Sequence, residues 1–89
     1  MLKLKIENSF KKDIKTVYKQ GLKQGEIEPI IQKLLSQELL ESKYKDHKLQ
    51  GDLKDFRECH IKPDLLLIYQ VKQDSLHLVR IGSHNHLFK

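Results

Sequence analysis

The sequence predicts an α+β domain in which two helices pack on one face of an antiparallel sheet. Its 89 residues correspond to one domain. Apolar residues have helical spacing in most of the first half, whereas short runs separated by turn residues, which are typical of strands, fill the second half. A hydrophobic fraction of 38% and a charged fraction of 33% indicate a folded chain, so disorder is not expected.

The N-terminal half predicts one strand followed by two helices. Residues 2–7 alternate between apolar and polar side chains, as a half-buried strand does. Asn8 and Ser9 are candidate capping residues for the first helix, and Gly21 can end it. A second, amphipathic helix begins near Gly25, because its apolar residues recur every three or four positions.

The C-terminal half predicts three strands after a long loop. Residues 38–52 are polar and basic without a sustained period, so they are predicted to be a loop of the length that is often functional. Strands are predicted at 53–61, 64–72 and 75–81, with turn residues between them. The run 64–72 is apolar at both parities and should be the central strand, covered on both faces. A short tail follows the last strand.

Composition limits the classes of function. The net charge of +5 arises from 15 Lys and 2 Arg against 12 acidic residues, and it favours RNA or an acidic protein as partner, although solubility alone would also explain it. The single cysteine, Cys59, excludes an internal disulfide. No apolar run approaches the roughly 20 residues that span a bilayer, and the N-terminus has no signal-peptide core. A cytoplasmic protein without a membrane partner is therefore expected.

Histidine is the residue type that points to chemistry. His47, His60, His84 and His86 lie in the predicted loop, at a strand end and in the tail, whereas His77 lies inside a strand and is more simply structural. Because histidine titrates near neutral pH, it can act as a general acid or as a general base. Surface histidines without any role remain an equal alternative at this point.

Two further residues join these histidines through the predicted topology. His60 and Asp64 flank a turn and could share a hydrogen bond. The strand after Asp64 runs away from it and the next, antiparallel strand returns, so Asp64 and His84 should lie at one edge of the sheet. RNA cleavage without a metal uses the neighbouring 2′-hydroxyl as nucleophile and needs a base, an acid and a cation, and Arg80 could be that cation.

Residues for binding RNA and for binding a metal can also be considered. Lysines in the segment 43–54 could hold the phosphate backbone, and Phe88 could stack on a base. A metal bound by Cys59 together with His47, His60, His84 and His86 is a weaker alternative. Adjacent strand residues such as Cys59 and His60 point to opposite faces, and no metal-binding spacing such as C-x-x-C or H-E-x-x-H occurs.

Four segments in order resemble the YafQ branch of the RelE toxin superfamily. They are KDHKLQG (45–51), FRECHIKPD (56–64), LLLIY (65–69) and RIGSH-x-x-LF (80–88). The match is close over residues 44–88, and the first half agrees only in its pattern of one strand and two helices. Members of this branch are the toxic halves of bacterial toxin–antitoxin pairs.

The resemblance implies a fold, an activity and partners. The fold is a compact RelE-type domain with two helices on a twisted antiparallel sheet. The activity is endoribonucleolytic cleavage of mRNA, commonly on the ribosome, and no metal or organic cofactor is implied. An antitoxin with an acidic, partly disordered segment would be the protein partner.

The resemblance also assigns roles to residues. Asp64 or His60 would be the base, His84 the acid, Arg80 the phosphate stabiliser and His47 a supporting group. The expected RNA-binding residues are Arg80, Phe88, Lys45, Lys48, Lys54 and Arg57. The family tail commonly has a glutamate where this chain has His86. This difference concerns the fine specificity of the site and not its core residues.

Two other functions remain possible. A RelE-type protein without nuclease activity, either a gyrase poison or an inactive remnant, would not need the set of His47, His60, Asp64 and His84. A general RNA-binding module would need aromatic residues interleaved on its sheet, and the sequence has no such motif.

Overall fold

A five-stranded sheet lies at the centre of the fold, in a computed structural model that describes residues 1–88. Along the chain, the elements are β1 (Lys3–Ile6), α1 (Asn8–Lys19), α2 (Gln24–Leu35), β2 (His47–Lys48), β3 (Arg57–Lys62), β4 (Leu65–Lys72), β5 (Ser75–Gly82) and α3 (His84–Leu87). Two single turns of 3₁₀ helix, Ser42–Tyr44 and Gly51–Leu53, flank β2. The predicted α+β class is confirmed.

The strand order is β1-β5-β4-β3-β2, and the sheet is mixed. Strands β2 to β5 are antiparallel to their neighbours, as predicted. Strand β1 instead runs parallel to β5, with Lys3 opposite Ser75 and Ile6 opposite Leu78. Alternation of apolar residues identifies a strand but carries no information about the direction of its partner, which is why the prediction of a wholly antiparallel sheet was wrong for β1.

Several predicted boundaries also differ. The long loop 38–52 contains the two-residue strand β2, and the strand predicted from residue 53 starts at Arg57. The predicted tail contains the short helix α3, where the Ser83 hydroxyl oxygen accepts a hydrogen bond from the His86 backbone N–H at 3.2 Å. Elements of two to four residues are too short to show a periodic pattern in the sequence. They also depend on contacts with residues distant in sequence for their stability.

Of the two predicted ends of α1, only the C-terminal end agrees with the structure. Gly21 follows the helix with a φ of 111°, a conformation that favours glycine, so the predicted end is confirmed. At the other end, α1 begins at Asn8 and no side chain caps it. The Ser9 hydroxyl instead donates a hydrogen bond to the Val79 carbonyl at 2.6 Å and thereby joins α1 to β5.

The main core lies between the two long helices and one face of the sheet. Its buried apolar residues include Phe10, Val17, Ile27, Ile30, Leu34, Cys59, Leu67, Tyr69, Leu76, Leu78 and Ile81. Strand β4 is the third of the five strands, and Leu66 and Ile68 are buried as well, at the opposite parity to Leu67 and Tyr69. The prediction of a central strand buried on both faces is therefore confirmed.

Candidate active site

Two of the predicted histidines lie together on the sheet face opposite the helices. Cys59 and Ile61 of β3 point into the helix-side core, so the alternating residues Glu58 and His60 point away from it. Strand β2 pairs with β3 so that His47 lies opposite Glu58. The ring centroids of His47 and His60 are 6.4 Å apart, a separation at which one phosphate could contact both imidazoles.

Contacts at both ring nitrogens orient His47. Its Nδ1 lies 2.6 Å from the Lys45 carbonyl oxygen, which can only accept, so Nδ1 carries a proton. Its Nε2 lies 3.0 Å from Oε2 of Glu58, so the carboxylate faces the other edge of the ring. Lys45 brings its carbonyl into place by adopting a left-handed conformation, with a φ of 47°. His47 is thus held in one orientation before any substrate binds.

Glu58 is a residue that the sequence reasoning missed. It is one of the few buried charged residues, and among residues 1–88 its Oε1 is the buried side-chain atom without a hydrogen-bond partner. A buried carboxylate oxygen without a partner is costly, so it marks a position where a ligand or a water molecule would be stabilised. The sequence could have indicated Glu58, because residues 58 and 60 alternate on one predicted strand and therefore lie on the same face of the sheet.

Asp64 and His84 lie at the same end of the sheet, as the predicted topology required. Leu66 of β4 pairs with Gly82 of β5. Asp64 lies two residues before Leu66 and His84 lies two residues after Gly82, so both lie at the same edge of the sheet. Asp64 and Ser83 line a shared cavity of about 200 Å³. Among residues 1–88, no hydrogen bond joins His60 to Asp64 across their turn, so that possibility is not realised.

His84 lies against Phe88 in the C-terminal segment. Their ring centroids are 5.1 Å apart and the rings are tilted by 40°, a geometry typical of packed aromatic rings. His84 is exposed at the start of α3. The pair therefore offers an exposed imidazole beside an aromatic face.

Arg80 is held by an ion pair that the sequence did not indicate. Its Nε donates to Oδ2 of Asp13 in α1 at 2.6 Å. This hydrogen bond raises the pKa of the guanidinium, and partial burial opposes the shift. Arg80 is thus a fixed cation on the strand that leads to His84.

The predicted backbone-binding cations fall into two groups. Lys48, Lys54 and Arg57 line one open cavity of about 300 Å³, whereas Lys45 is exposed at the turn before His47. The cavity thus offers three cations to a phosphate backbone, and two of them, Lys48 and Lys54, have flexible, solvated side chains.

Arg57 also has a structural role, which the sequence did not indicate. Its Nε lies 3.3 Å from both the Tyr69 hydroxyl and Oδ1 of Asp46, and the Tyr69 hydroxyl donates to the same carboxylate. The hydrogen bond with Tyr69 is the main cause that raises the pKa of Arg57, and Asp46 adds to it. This network ties the segment before β2 to the centre of the sheet.

A metal centre can be tested on geometry. Within residues 1–88, no three His, Cys, Asp or Glu side chains are arranged to hold a metal ion. Cys59 is buried in the helix-side core, and burial raises the pKa of its thiol to about 12, so it stays protonated at neutral pH. It lies on the opposite face from His60, as strand alternation predicted.

No helix in the described part of the chain is long and apolar enough to cross a bilayer.

Known proteins match the chain over nearly its whole length. The mRNA interferase toxin YafQ of Escherichia coli (strain K12) is 35% identical over 91 residues, which cover 99% of each chain. A copper-bound mutant toxin from Helicobacter pylori has a TM-score of 0.96 and 45% identity, with 99% of this chain and 100% of that one covered. YafQ in the E. coli DinJ–YafQ complex has a TM-score of 0.90 and 30% identity, with both chains fully covered.

The family model described as the bacterial toxin of type II toxin–antitoxin systems, YafQ, matches residues 2–89. This match includes the N-terminal half, where the sequence motifs were weakest, and it agrees with the resemblance drawn from residues 44–88. The chain therefore belongs to the YafQ family of bacterial toxins of type II toxin–antitoxin systems.

Proposed function

We propose that this chain is an mRNA interferase that cleaves RNA through attack of the 2′-hydroxyl on the adjacent phosphate. The observation that carries the proposal is the pair of imidazoles, His47 and His60, on one face of the sheet with ring centroids 6.4 Å apart. Asp64 and His84 lie at one end of that sheet and provide further groups for proton transfer. The relative from E. coli with the printed name of mRNA interferase supports the same activity.

Proton transfer needs a base and an acid near one phosphate. Asp64 or His60 removes the proton from the 2′-hydroxyl, and His84 protonates the departing 5′-oxygen. His47 orients the substrate rather than supplying a mobile proton, because the Lys45 carbonyl and the Glu58 carboxylate already contact its two ring nitrogens. Arg80 stabilises the negative charge that develops on the phosphate in the transition state.

RNA binding uses cations on either side of this chemistry. Lys45, Lys48, Lys54 and Arg57 hold the phosphate backbone, and Phe88 stacks on a base beside His84. Since these contacts are electrostatic, affinity for RNA should fall steeply as salt is added. No metal ion and no organic cofactor takes part in the proposed step.

The partners follow from the family. The E. coli YafQ structure in complex with DinJ supports an antitoxin as the protein partner of this chain. The net charge of +5 favours an acidic antitoxin segment. We place the reaction on mRNA at the ribosome in the cytoplasm, where the substrate of such a toxin is found.

The test compares purified His84→Ala with wild-type protein on RNA in the presence of EDTA. Wild type should cleave, and His84→Ala should lose about 10²-fold or more of the rate, which is typical for loss of a general acid. His77→Ala is the matched control, because His77 is bonded to Glu7 and lies in β5 away from the proposed groups.

Each outcome bears on a different part of the proposal. If EDTA stops cleavage by wild type, the metal-independent step is wrong. If His84→Ala cleaves as fast as wild type, the proposed acid is wrong. If wild type arrests growth but cleaves no RNA, alone or with ribosomes, a toxin that acts by binding replaces the nuclease.

A further inference from the structure

A buried carboxylate in α1 contacts the end of β5 and the helix α3, which are more than 60 residues away from it in sequence. Asp13 is only 7% exposed. Its Oδ2 accepts hydrogen bonds from Arg80 Nε at 2.6 Å and from the Ile81 backbone N–H at 3.1 Å. Its Oδ1 accepts from Arg80 Nη2 at 3.3 Å and lies 3.5 Å from Nε2 of His86. None of the chemistry described so far uses Asp13.

The geometry of the sheet explains why Asp13 is needed at this point. Strand β1 pairs with β5 only as far as Leu78, so the later residues of β5 have no strand on that side. The pairing of β4 with β5 also shifts register between Ile68 and Tyr69. The Ile81 N–H would be left without a strand acceptor, and the Asp13 carboxylate takes that place.

We propose that Asp13 is a positioning residue of the cleavage site, which fixes the Arg80 guanidinium and tethers α3, the helix that begins at His84. This inference rests on the proposed nuclease function. Asp13 contacts Arg80 through two guanidinium nitrogens, so it fixes the plane of that group as well as its position. An arginine that is ordered in advance needs little reorganisation when negative charge develops on the phosphate in the transition state.

Arg80 still has donors for a phosphate after it has bound Asp13. A guanidinium carries five N–H donors, and Asp13 accepts two of them. The Arg80 side chain is 35% exposed, so the remaining edge is accessible. Burial alone would raise the pKa of Asp13, but hydrogen bonds from Arg80 and from the Ile81 N–H hold it below its usual value, and the carboxylate stays charged.

The second contact reaches α3 through His86. A Cβ atom at Gly82 would lie 3.0 Å from the His86 ring and 3.3 Å from the Leu87 side chain, so α3 packs closely against the end of β5. His86 therefore lies between Gly82 and Asp13. The charged groups that face its ring are Asp13 of α1, 3.5 Å away, and Arg80 of β5, which shares that carboxylate.

The test is a double-mutant cycle on RNA cleavage with Asp13→Asn, Arg80→Ala and the combined variant. Asp13→Asn should lower kcat by about 10- to 100-fold, the range found for residues that orient another functional group. KM for RNA should change by less than about 3-fold, because Asp13 does not reach the substrate. In the Arg80→Ala background, the Asp13→Asn change should have little further effect on kcat, since its target is absent.

Two more variants separate positioning from folding. Glu7→Gln is the matched control, because Glu7 also bonds a β5 side chain, His77, but lies outside the candidate site. Its kcat should equal that of wild type. His86→Ala changes an exposed side chain and removes the contact with Asp13, so it should lower kcat by a few-fold through the α3 tether alone.

The outcomes distinguish this inference from the function on which it rests. A folded Asp13→Asn protein with wild-type kcat would overturn it, and so would an Asp13→Asn effect of equal size with and without Arg80. If Asp13→Asn does not fold, unchanged kcat in His86→Ala overturns the α3 tether. If wild type cleaves no RNA, the nuclease function fails, and NMR exchange of the Arg80 Nε–H then tests the contact with Asp13. That proton should exchange slowly in wild type and faster in Asp13→Asn, and equal exchange rates in the two proteins would contradict the proposed role of Asp13.

Discussion

Removal of either partner of the His47–Glu58 ion pair should change the free energy of unfolding by different amounts. The Glu58 side chain is 9% exposed and that of His47 is 48% exposed. In His47→Ala, the Glu58 carboxylate loses the Nε2 donor at 3.0 Å, while its Oε1 already has no partner in the described structure. A buried polar group without a partner costs about 1–3 kcal/mol, so His47→Ala should be destabilising by that amount.

Glu58→Gln should behave differently, because it keeps the shape of the side chain and removes the buried charge. Breaking a buried ion pair is costly when the remaining charge stays buried, but here the remaining partner, His47, is 48% exposed to water. The glutamine amide can still form a hydrogen bond with His47, so we expect a change of less than about 1 kcal/mol. In a domain of this size, each kcal/mol corresponds to a shift of about 4–8 °C in Tm.

Urea unfolding of both variants at neutral pH measures the difference. His77→Ala is the control, since its partner Glu7 is half-exposed and such a surface pair contributes at most about 1 kcal/mol. The reasoning is refuted if Glu58→Gln costs as much as His47→Ala. It is also refuted if His47→Ala costs no more than His77→Ala, because the burial of Glu58 would then have no energetic consequence.

Three further predictions concern buried groups. Leu67→Ala should cost about 2–5 kcal/mol in urea unfolding, because Leu67 is fully buried in the central strand, and a cost below 1 kcal/mol would contradict the core as described. Burial raises the pKa of Cys59 to about 12, so Ellman's reagent should not react with folded protein at pH 8 and should react after unfolding. Because the pKa of Asp13 is lowered in the fold, its stabilisation is present above the unfolded value of about 3.8 and is lost as pH falls through the folded value. The stability difference between wild type and Asp13→Asn should therefore shrink below about pH 4, and a difference that grows there would contradict this assignment.

Local sequence pattern predicted the elements that are stable through their own periodicity. Strand β4, helix α2 and the end of α1 at Gly21 follow from apolar spacing and from one glycine. The pattern could not predict that β1 runs parallel to β5, because the partner of an edge strand depends on where the intervening chain packs. The edge shared by Asp64 and His84 was predictable, since two consecutive antiparallel strands leave no other arrangement.

The supporting residues of the site were harder to predict than the histidines. Glu58 could have been found by strand parity with His60. Asp13 could not, because a charged residue among the lysines of α1 is usually solvent-exposed, and its burial depends on the end of β1 and the register shift in β5. Arg57 resembled a free RNA-binding cation in the sequence, and only the fold reveals its bonds with Asp46 and Tyr69.

The shortest elements of this fold carry two of the candidate catalytic residues, and a carboxylate that is buried or partly buried contacts the segment around each of them. Strand β2 has two residues and α3 has four, so neither is stable by itself. The Asp46 carboxylate anchors the segment before β2 to Tyr69, and the Asp13 carboxylate anchors α3 through His86. An apolar contact would stabilise these segments without fixing their direction, whereas a hydrogen-bonded carboxylate fixes both position and angle. We therefore expect these polar groups to orient the segments that carry His47 and His84, in addition to the stability that they contribute.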